Sequence, residues 1–221
     1  MKRLILTALI TLSLAASAAA QEQNKPAAPQ PADPHAGHDM SAHAKAEEPS
    51  AAAKWFTDVE LVDQDGRKVR FYSDVLKGKT VVVNAFFTTC TSVCPPMNRN
   101  MEKIQEAFGD RVGKDVFLIS ISVDPVTDTP ERLKAWGEKF KAAPGWTLLT
   151  GEKAHVDELL RALAASTARP EDHSPITIIG NDEHGQWTRA YGLARPSQLV
   201  KLIDDAAAGR LDAAGAQSAR E

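Results

Sequence analysis

The segment running from Val81 to Met97, VVVNAFFTTCTSVCPPM, constrains the fold more than any other stretch of the chain. It opens as a continuous apolar run, β-branched at its start, which is the pattern of a strand closed on both faces. The run passes straight into Cys90-Thr-Ser-Val-Cys94 and Pro95-Pro96, and it holds both of the protein's cysteines. Met97, Met101, Ile104 and Phe108 follow at helical spacings of three and four. Two prolines suit the first turn of such a helix, where a missing N–H leaves nothing unpaired. The thiols are therefore expected between the end of a central strand and the N-terminus of a helix, where backbone N–H groups and the helix dipole favour a thiolate. If both lie on helical turns, a separation of four residues puts both sulfurs on one face. The pair can then close a disulfide, since such Cα atoms lie roughly 6 Å apart, or grip one soft metal ion. The plainer alternative is a structural disulfide or two buried thiols that are merely neighbours.

The N-terminus sets the redox context. Met1-Lys2-Arg3 is a short basic region, Leu4 to Leu14 is apolar but too short to span a bilayer, and Ala18-Ala19-Ala20 precedes Gln21 like a cleavage site. Residues 1–20 thus read as a secretory signal peptide, with no cysteine at the cleavage point to carry a lipid. The mature chain is expected in a bacterial periplasm, soluble once the signal is removed and membrane-anchored if it is not. Without Lys2 and Arg3 the formal charge falls from −3 to −5, which argues against nucleic acid as a partner. An oxidising compartment turns neighbouring cysteines into a disulfide unless a metal or a reductant keeps them open.

Residues 21–53 are rich in Ala, Pro, Glu and Lys and nearly devoid of large apolar side chains. They bury too little to offset the entropy of ordering, so a disordered tether is expected. Within it, His35, His38, Met40 and His43 place imidazoles and a thioether close enough to collect copper loosely. A polar linker with incidental histidines is the alternative.

One α/β domain, residues 54–208, accounts for the remainder. Val59, Leu61 and Asp63, then Gln64-Asp65-Gly66, then Val69 and Phe71 predict a hairpin. Val116 to Val123 predicts a second buried strand, stopped by Asp124-Pro125. A helix follows with Asp128 or Thr129 as its cap and Pro130 at its first position. Trp146–Thr150 predicts a short strand, 153–165 a helix, Ile176–Ile179 and Trp187–Tyr191 a hairpin, and 196–208 a last helix. Trp187 and Tyr191 are expected to pack that hairpin onto the domain, and His155 and His184 to lie on the surface. Residues 209–221 are small and polar, a flexible tail. Strands alternating with helices of this length imply a layered α/β sandwich around a mixed sheet.

Strand–Cys90-x-x-x-Cys94-Pro–helix, then Ser-Val-Asp124-Pro-x-x-Asp128-Thr-Pro, then Asp172-His173-Ser, resembles the Sco (SenC) family over about residues 55 to 208. The resemblance implies a thioredoxin-like three-layer α/β/α fold with an N-terminal hairpin. It also implies one copper ion, Cu(I) or Cu(II), bound by Cys90, Cys94 and His173, with Asp124 in a supporting role. The implied work is that of a metallochaperone, more an assembly factor than an enzyme. Its partners would be the copper-site subunit of cytochrome c oxidase or another cuproprotein, together with periplasmic copper chaperones and thiol reductants; no small-molecule substrate is expected. The donor set fits by its own chemistry, because two thiolates suit Cu(I) and an imidazole helps the same site tolerate Cu(II). His173 lies 79 residues beyond Cys94, so spacing alone cannot bring them together; a capping or surface histidine is the alternative. A strand-end turn residue is the equal alternative for Asp124, and Asp128 reads as a helix cap. The Thr-Ser-Val between the cysteines departs from the Pro-Asp type insert frequent in the family.

A different class remains open, a thiol–disulfide oxidoreductase using Cys90 and Cys94 as attacking and resolving thiols. Pro175, just before a predicted strand, stands where redox-active thioredoxin-like proteins place a cis-proline facing the dithiol. A weaker third reading is a thiol peroxidase, since Thr91-Ser-Val-Cys94-Pro resembles a peroxiredoxin active-site run. Phe87 stands where that family has a proline.

Overall fold

The computed structural model describes residues 51–211. A single mixed sheet of seven strands forms the centre, in the order β2-β1-β5-β4-β3-β6-β7. The strands are β1 (Glu60–Asp63), β2 (Lys68–Arg70), β3 (Thr80–Phe86), β4 (Val116–Ser122), β5 (Trp146–Thr150), β6 (Ile176–Asn181) and β7 (Gln186–Tyr191). Strands β3, β4 and β5 run parallel, and the remaining pairs are antiparallel. Every residue of β3 is buried, as its unbroken apolar run demands of a strand with neighbours on both edges and layers on both faces.

The helices are α1 (Ala51–Trp55), α2 (Cys94–Phe108), α3 (Pro130–Lys139), α4 (Lys153–Ala162) and α5 (Pro196–Ala207). Phe86 stacks on Trp136 of α3 at 5.6 Å. Val83 and Ala85, on the opposite pleat of β3, line a narrow cavity with Leu163 at the end of α4. Side chains alternate across a strand, so α3 and α4 cover opposite faces of the sheet. Arg99 of α2 lies over the Phe140 ring at 5.0 Å, which groups α2 with α3. The result is the expected three-layer α/β sandwich.

Several local expectations need correcting. The strand after the Asp65-Gly66 turn stops at Arg70, because Phe71 enters a π-helical turn, Phe71–Leu76, instead of continuing the alternation. That turn drives Phe71 fully into the core beside Phe56 and is tied by Asp58, which accepts from the Ser73 N–H at 2.9 Å. Helix α3 is capped by Thr129, whose hydroxyl accepts from the Arg132 N–H; Asp128 is not its cap. Helix α4 ends at Ala162, short of 165, where Ala164 turns with φ of 46°. Helix α1 lies ahead of residue 54, and Ala52 is buried. At the other end Gln186 grips the backbone of Gly209 and Leu211, so these residues are held against β7. Trp187 packs on Phe56 at 4.6 Å, as expected, but Tyr191 is 58% exposed and packs nothing inward. Among the described residues no helix is long and apolar enough to cross a membrane.

Candidate metal centre

Strand β3 ends at Phe86, and the seven residues from Phe87 to Val93 lead into α2, whose first residue is Cys94. Cys90 therefore sits on the approach to the helix and not on a helical turn. Its N–H donates to the Phe87 carbonyl at 3.2 Å, closing a tight turn. The Cys94 N–H, one of the unpaired donors at the start of α2, donates to Cys90 Sγ at 3.4 Å. A sulfur thus takes up one of the helix's unpaired donors, near the positive end of the helix dipole. Both cysteines are free thiols and both are buried, Cys90 at 6% exposure and Cys94 at 0%.

The environments push the two thiols apart. Burial pushes the Cys94 thiol well up, and the neighbouring Cys90 adds to the rise. Burial also acts upward on Cys90, but hydrogen bonds from Cys94 and Ser92 outweigh it and hold the thiol below its usual range.

His173 reaches the same place from the far side of the chain. A 3₁₀ turn, Pro170–Asp172, precedes it, and Arg169 pairs with Asp172 through two contacts of 2.9 Å that hold this carboxyl below its usual range. His173 Nδ1 lies 2.8 Å from the Pro170 carbonyl oxygen. A carbonyl only accepts, so Nδ1 carries the proton and Nε2 of the neutral ring presents a lone pair. That Nε2 lies 3.7 Å from Cys94 Sγ. The ring is 5% exposed and stands edge-on to Phe87, with centroids 5.6 Å apart. This is the arrangement in which metal-ligating histidines are oriented by their second nitrogen. Cys94 contacts both other members of the predicted set. Among the described residues no three Cys, His, Asp or Glu side chains are gathered at ligand spacing. The chemistry of the donors, two sulfurs and one imidazole lone pair, fits copper.

Two glycines that sequence reasoning passed over hold these parts in register. A Cβ on Gly192 would meet Met97 Cε at 2.6 Å and the Pro175 carbonyl oxygen at 3.2 Å. The Gly192 N–H donates to that carbonyl at 2.8 Å, and its own carbonyl accepts from Asn100 of α2. The helix that begins with Cys94 is thereby locked to the strand that begins beside His173. Gly180 of β6 lies under the Trp187 ring, whose carbon would stand 2.2 Å from an added Cβ.

Asp124 makes a turn: its carboxylate accepts from the Thr127 N–H at 3.3 Å and its own N–H donates to Ser122 Oγ at 3.0 Å. Asp128, read from sequence as a cap, is fully enclosed and grips the cysteine loop. It accepts from the Thr88 N–H at 3.1 Å, from the Thr88 hydroxyl, and from Ser122 Oγ at 2.6 Å. The signal that could have found it is the position of the carboxylate one short turn beyond a buried strand, where strand ends meet the loop of the neighbouring strand. Pro175 follows a trans bond, since no described peptide is cis. His155 is half-buried and bonded to the Glu60 carbonyl at 2.9 Å, while His184 is exposed. His35, His38, Met40 and His43 lie outside the described residues.

With this geometry in place, comparison with known proteins is informative. The family model described as SCO1/SenC matches residues 47–204. The "SCO1 protein homolog" of Bacillus subtilis (strain 168) is 32% identical over 152 residues, covering 65% of this chain and 76% of that protein. Among solved structures, BsSco, described as having a disulfide switch and as a member of the Sco family of cytochrome c oxidase assembly proteins, is 26% identical. It aligns with a TM-score of 0.58 over 68% of this chain and 91% of its own. The structure of Bradyrhizobium japonicum ScoI with copper bound shares the fold at a TM-score of 0.56 and 24% identity, covering 66% of this chain and 96% of that one. A thioredoxin-like α/β domain with a strand–CxxxC–helix turn, matched by the family model over most of its length, belongs to the SCO1/SenC family.

Proposed function

We propose that the protein is an exported copper metallochaperone, binding one ion through Cys90, Cys94 and His173 and supporting assembly of the copper site of cytochrome c oxidase. The observation that carries this reading is the His173 ring. Its Nδ1–H is spent on Pro170, and its free Nε2 lone pair lies 3.7 Å from Cys94 Sγ in a nearly closed site. Membership of a family whose relatives include one solved with copper bound supports the choice of metal. Copper is cargo here: three ligands leave a coordination position open to a recipient's ligand, so the ion can pass on without first being free. The protein's own residues hold the thiols at a helix N-terminus, fix the imidazole tautomer and exclude water. Residues 1–20 direct export to the periplasm, and residues 21–50 act as a tether in which His35, His38, Met40 and His43 collect copper loosely. The recipient is the copper-site subunit of the oxidase or another cuproprotein.

The test is retention of copper by the reduced mature protein against a competing Cu(I) chelator, in chains with and without the tether. Wild type should hold about one equivalent. Cys90→Ser and Cys94→Ser should abolish retention, and His173→Ala should weaken it by on the order of tenfold or more. Immediate loss from wild type would sink the reading.

One observation favours a second use of the same pair. Cys94 is enclosed and its thiol pushed up, whereas Cys90 is capped by a helix amide and held down. This is the division between attacking and resolving thiols in disulfide exchange. Cys90 thiolate would attack a partner disulfide and release one partner thiolate. Cys94 would then displace the second, leaving the Cys90–Cys94 disulfide and a reduced partner. Copper needs the reduced pair, so the two uses alternate on one site.

A further inference from the structure

Asp128 does something that neither capping nor ligation explains. It is 0% exposed, and the donors that offset its burial are neutral: the Thr88 N–H, the Thr88 hydroxyl and Ser122 Oγ. The cation set against it, Arg132, comes no closer than 3.9 Å to Oδ1 and is itself 46% exposed. Arg132 places its nearer contacts, 3.0 and 3.2 Å, on Thr88 Oγ1 instead. A carboxylate enclosed in this way sits behind the cysteine loop, tied to Thr88 two residues before Cys90, in surroundings where water screens charge weakly.

We propose that Asp128 biases the metal site toward Cu(II) over Cu(I), and that Arg132 tempers the bias from outside. The inference rests on the copper reading of Cys90, Cys94 and His173. Two thiolates and a neutral imidazole make a neutral site around Cu(II) and a singly negative one around Cu(I). A buried anion beside them repels the second state and spares the first. Thr88 makes the link mechanical as well as electrical, because one residue carries both the loop's hydrogen bonds to Asp128 and the contact with Arg132.

The experiment uses the full mature chain as wild type, Asp128→Asn, Arg132→Gln and Thr88→Val. Cu(I) and Cu(II) affinities are each measured anaerobically by competition with a chelator selective for that ion. The thiolate-to-Cu(II) charge-transfer absorption reports the Cu(II) form independently. Asp128→Asn should raise the Cu(I)-to-Cu(II) affinity ratio by on the order of tenfold, the scale of one charge pair in a partly buried site. Arg132→Gln, at an exposed position that folding tolerates, should lower the ratio by roughly twofold, because solvent screens it. Thr88→Val keeps the charge and loses the tie, so both affinities should fall together with the ratio unmoved. A ratio unchanged in Asp128→Asn and Arg132→Gln, or moved the same way by both, overturns the proposal while leaving the copper site standing. If Asp128→Asn does not fold, the direction of Arg132→Gln decides alone. Wild type that retains neither ion overturns the copper reading and this inference with it.

Discussion

Replacing Gly180 by Ala tests whether the sheet really places Trp187 across the strand that starts beside His173. Gly180 has an ordinary strand conformation, so alanine meets no backbone penalty there. Were the space open, the substitution would stabilise the protein by about 0.4–1 kcal/mol, through lost freedom in the unfolded chain. The space is not open. The new Cβ would stand 2.2 and 2.4 Å from two carbons of the Trp187 indole and 2.8 Å from the Gln186 carbonyl oxygen. Trp187 is paired directly opposite Gly180 and packs on Phe56 at 4.6 Å, so the ring must leave that partner or the strands must part. Overpacking of this kind costs about 1–3 kcal/mol, and losing the aromatic contact adds about 0.5–1.5 kcal/mol. Less the unfolded-state gain, a net loss of roughly 2–3 kcal/mol is expected, a fall of about 5–10 °C in Tm for a domain of this size. Urea and thermal unfolding of the reduced protein, followed by tryptophan fluorescence, would measure it. A midpoint equal to or above wild type would refute the packing account, because the sign itself is wrong. Copper retained per folded molecule should stay near wild type, since the register of β6 on β3 is set by five residue pairs, of which Gly180 makes only one.

Three further outcomes are expected. On brief treatment of the reduced protein with iodoacetamide at neutral pH, peptide mapping should find Cys90 alkylated at least about tenfold faster than Cys94, since the thiolate is the nucleophile and one thiol is held down and the other pushed up; comparable labelling would contradict the asymmetry. Gly192→Ala should cost less than Gly180→Ala, about 1–2 kcal/mol, because its nearest obstacle is the movable end of Met97, yet it should weaken copper retention by displacing α2 from the His173 strand; undiminished retention would separate the two. Glu102 is held below its usual range by hydrogen bonds from Lys141 and then Arg99. Its contribution is present above the ordinary glutamate pKa and is lost as pH falls through the lower folded value, so Glu102→Gln should lower Tm at pH 7 and lose that deficit progressively on acidification below the ordinary glutamate range; a pH-independent deficit would rule this out.

What was legible in the chain itself is what local chemistry decides. The β-branched run reads as a doubly buried strand and the prolines after Cys94 suit a helix's first turn, and both elements stand there in the fold. That placed both thiols at a helix N-terminus before any coordinates. Strand and helix alternation carried the sandwich, since each element must cover an apolar face with another. The residues decided by neighbours distant in sequence were not legible in local chemistry, and only the family resemblance singled out His173. His173 meets Cys94 only because β6 pairs antiparallel with β3. Asp128 looks like a helix cap from the Asp-Thr-Pro sequence, and only the folded chain shows Thr129 taking that role while Asp128 turns inward to Thr88. Phe71 continues an alternating pattern on paper, yet leaves its strand because burial beside Phe56 outweighs β-propensity. Gly180 and Gly192 carry no motif; their necessity lies in a tryptophan ring and a methionine methyl that only tertiary packing brings within reach. Local sequence chemistry supplied two thiols poised at a helix start, with histidines and carboxylates elsewhere in the same chain. The fold brought His173 to Cys94 and Asp128 to the loop before Cys90, because hydrogen bonds and packing act over a few ångströms and take no account of separation along the chain.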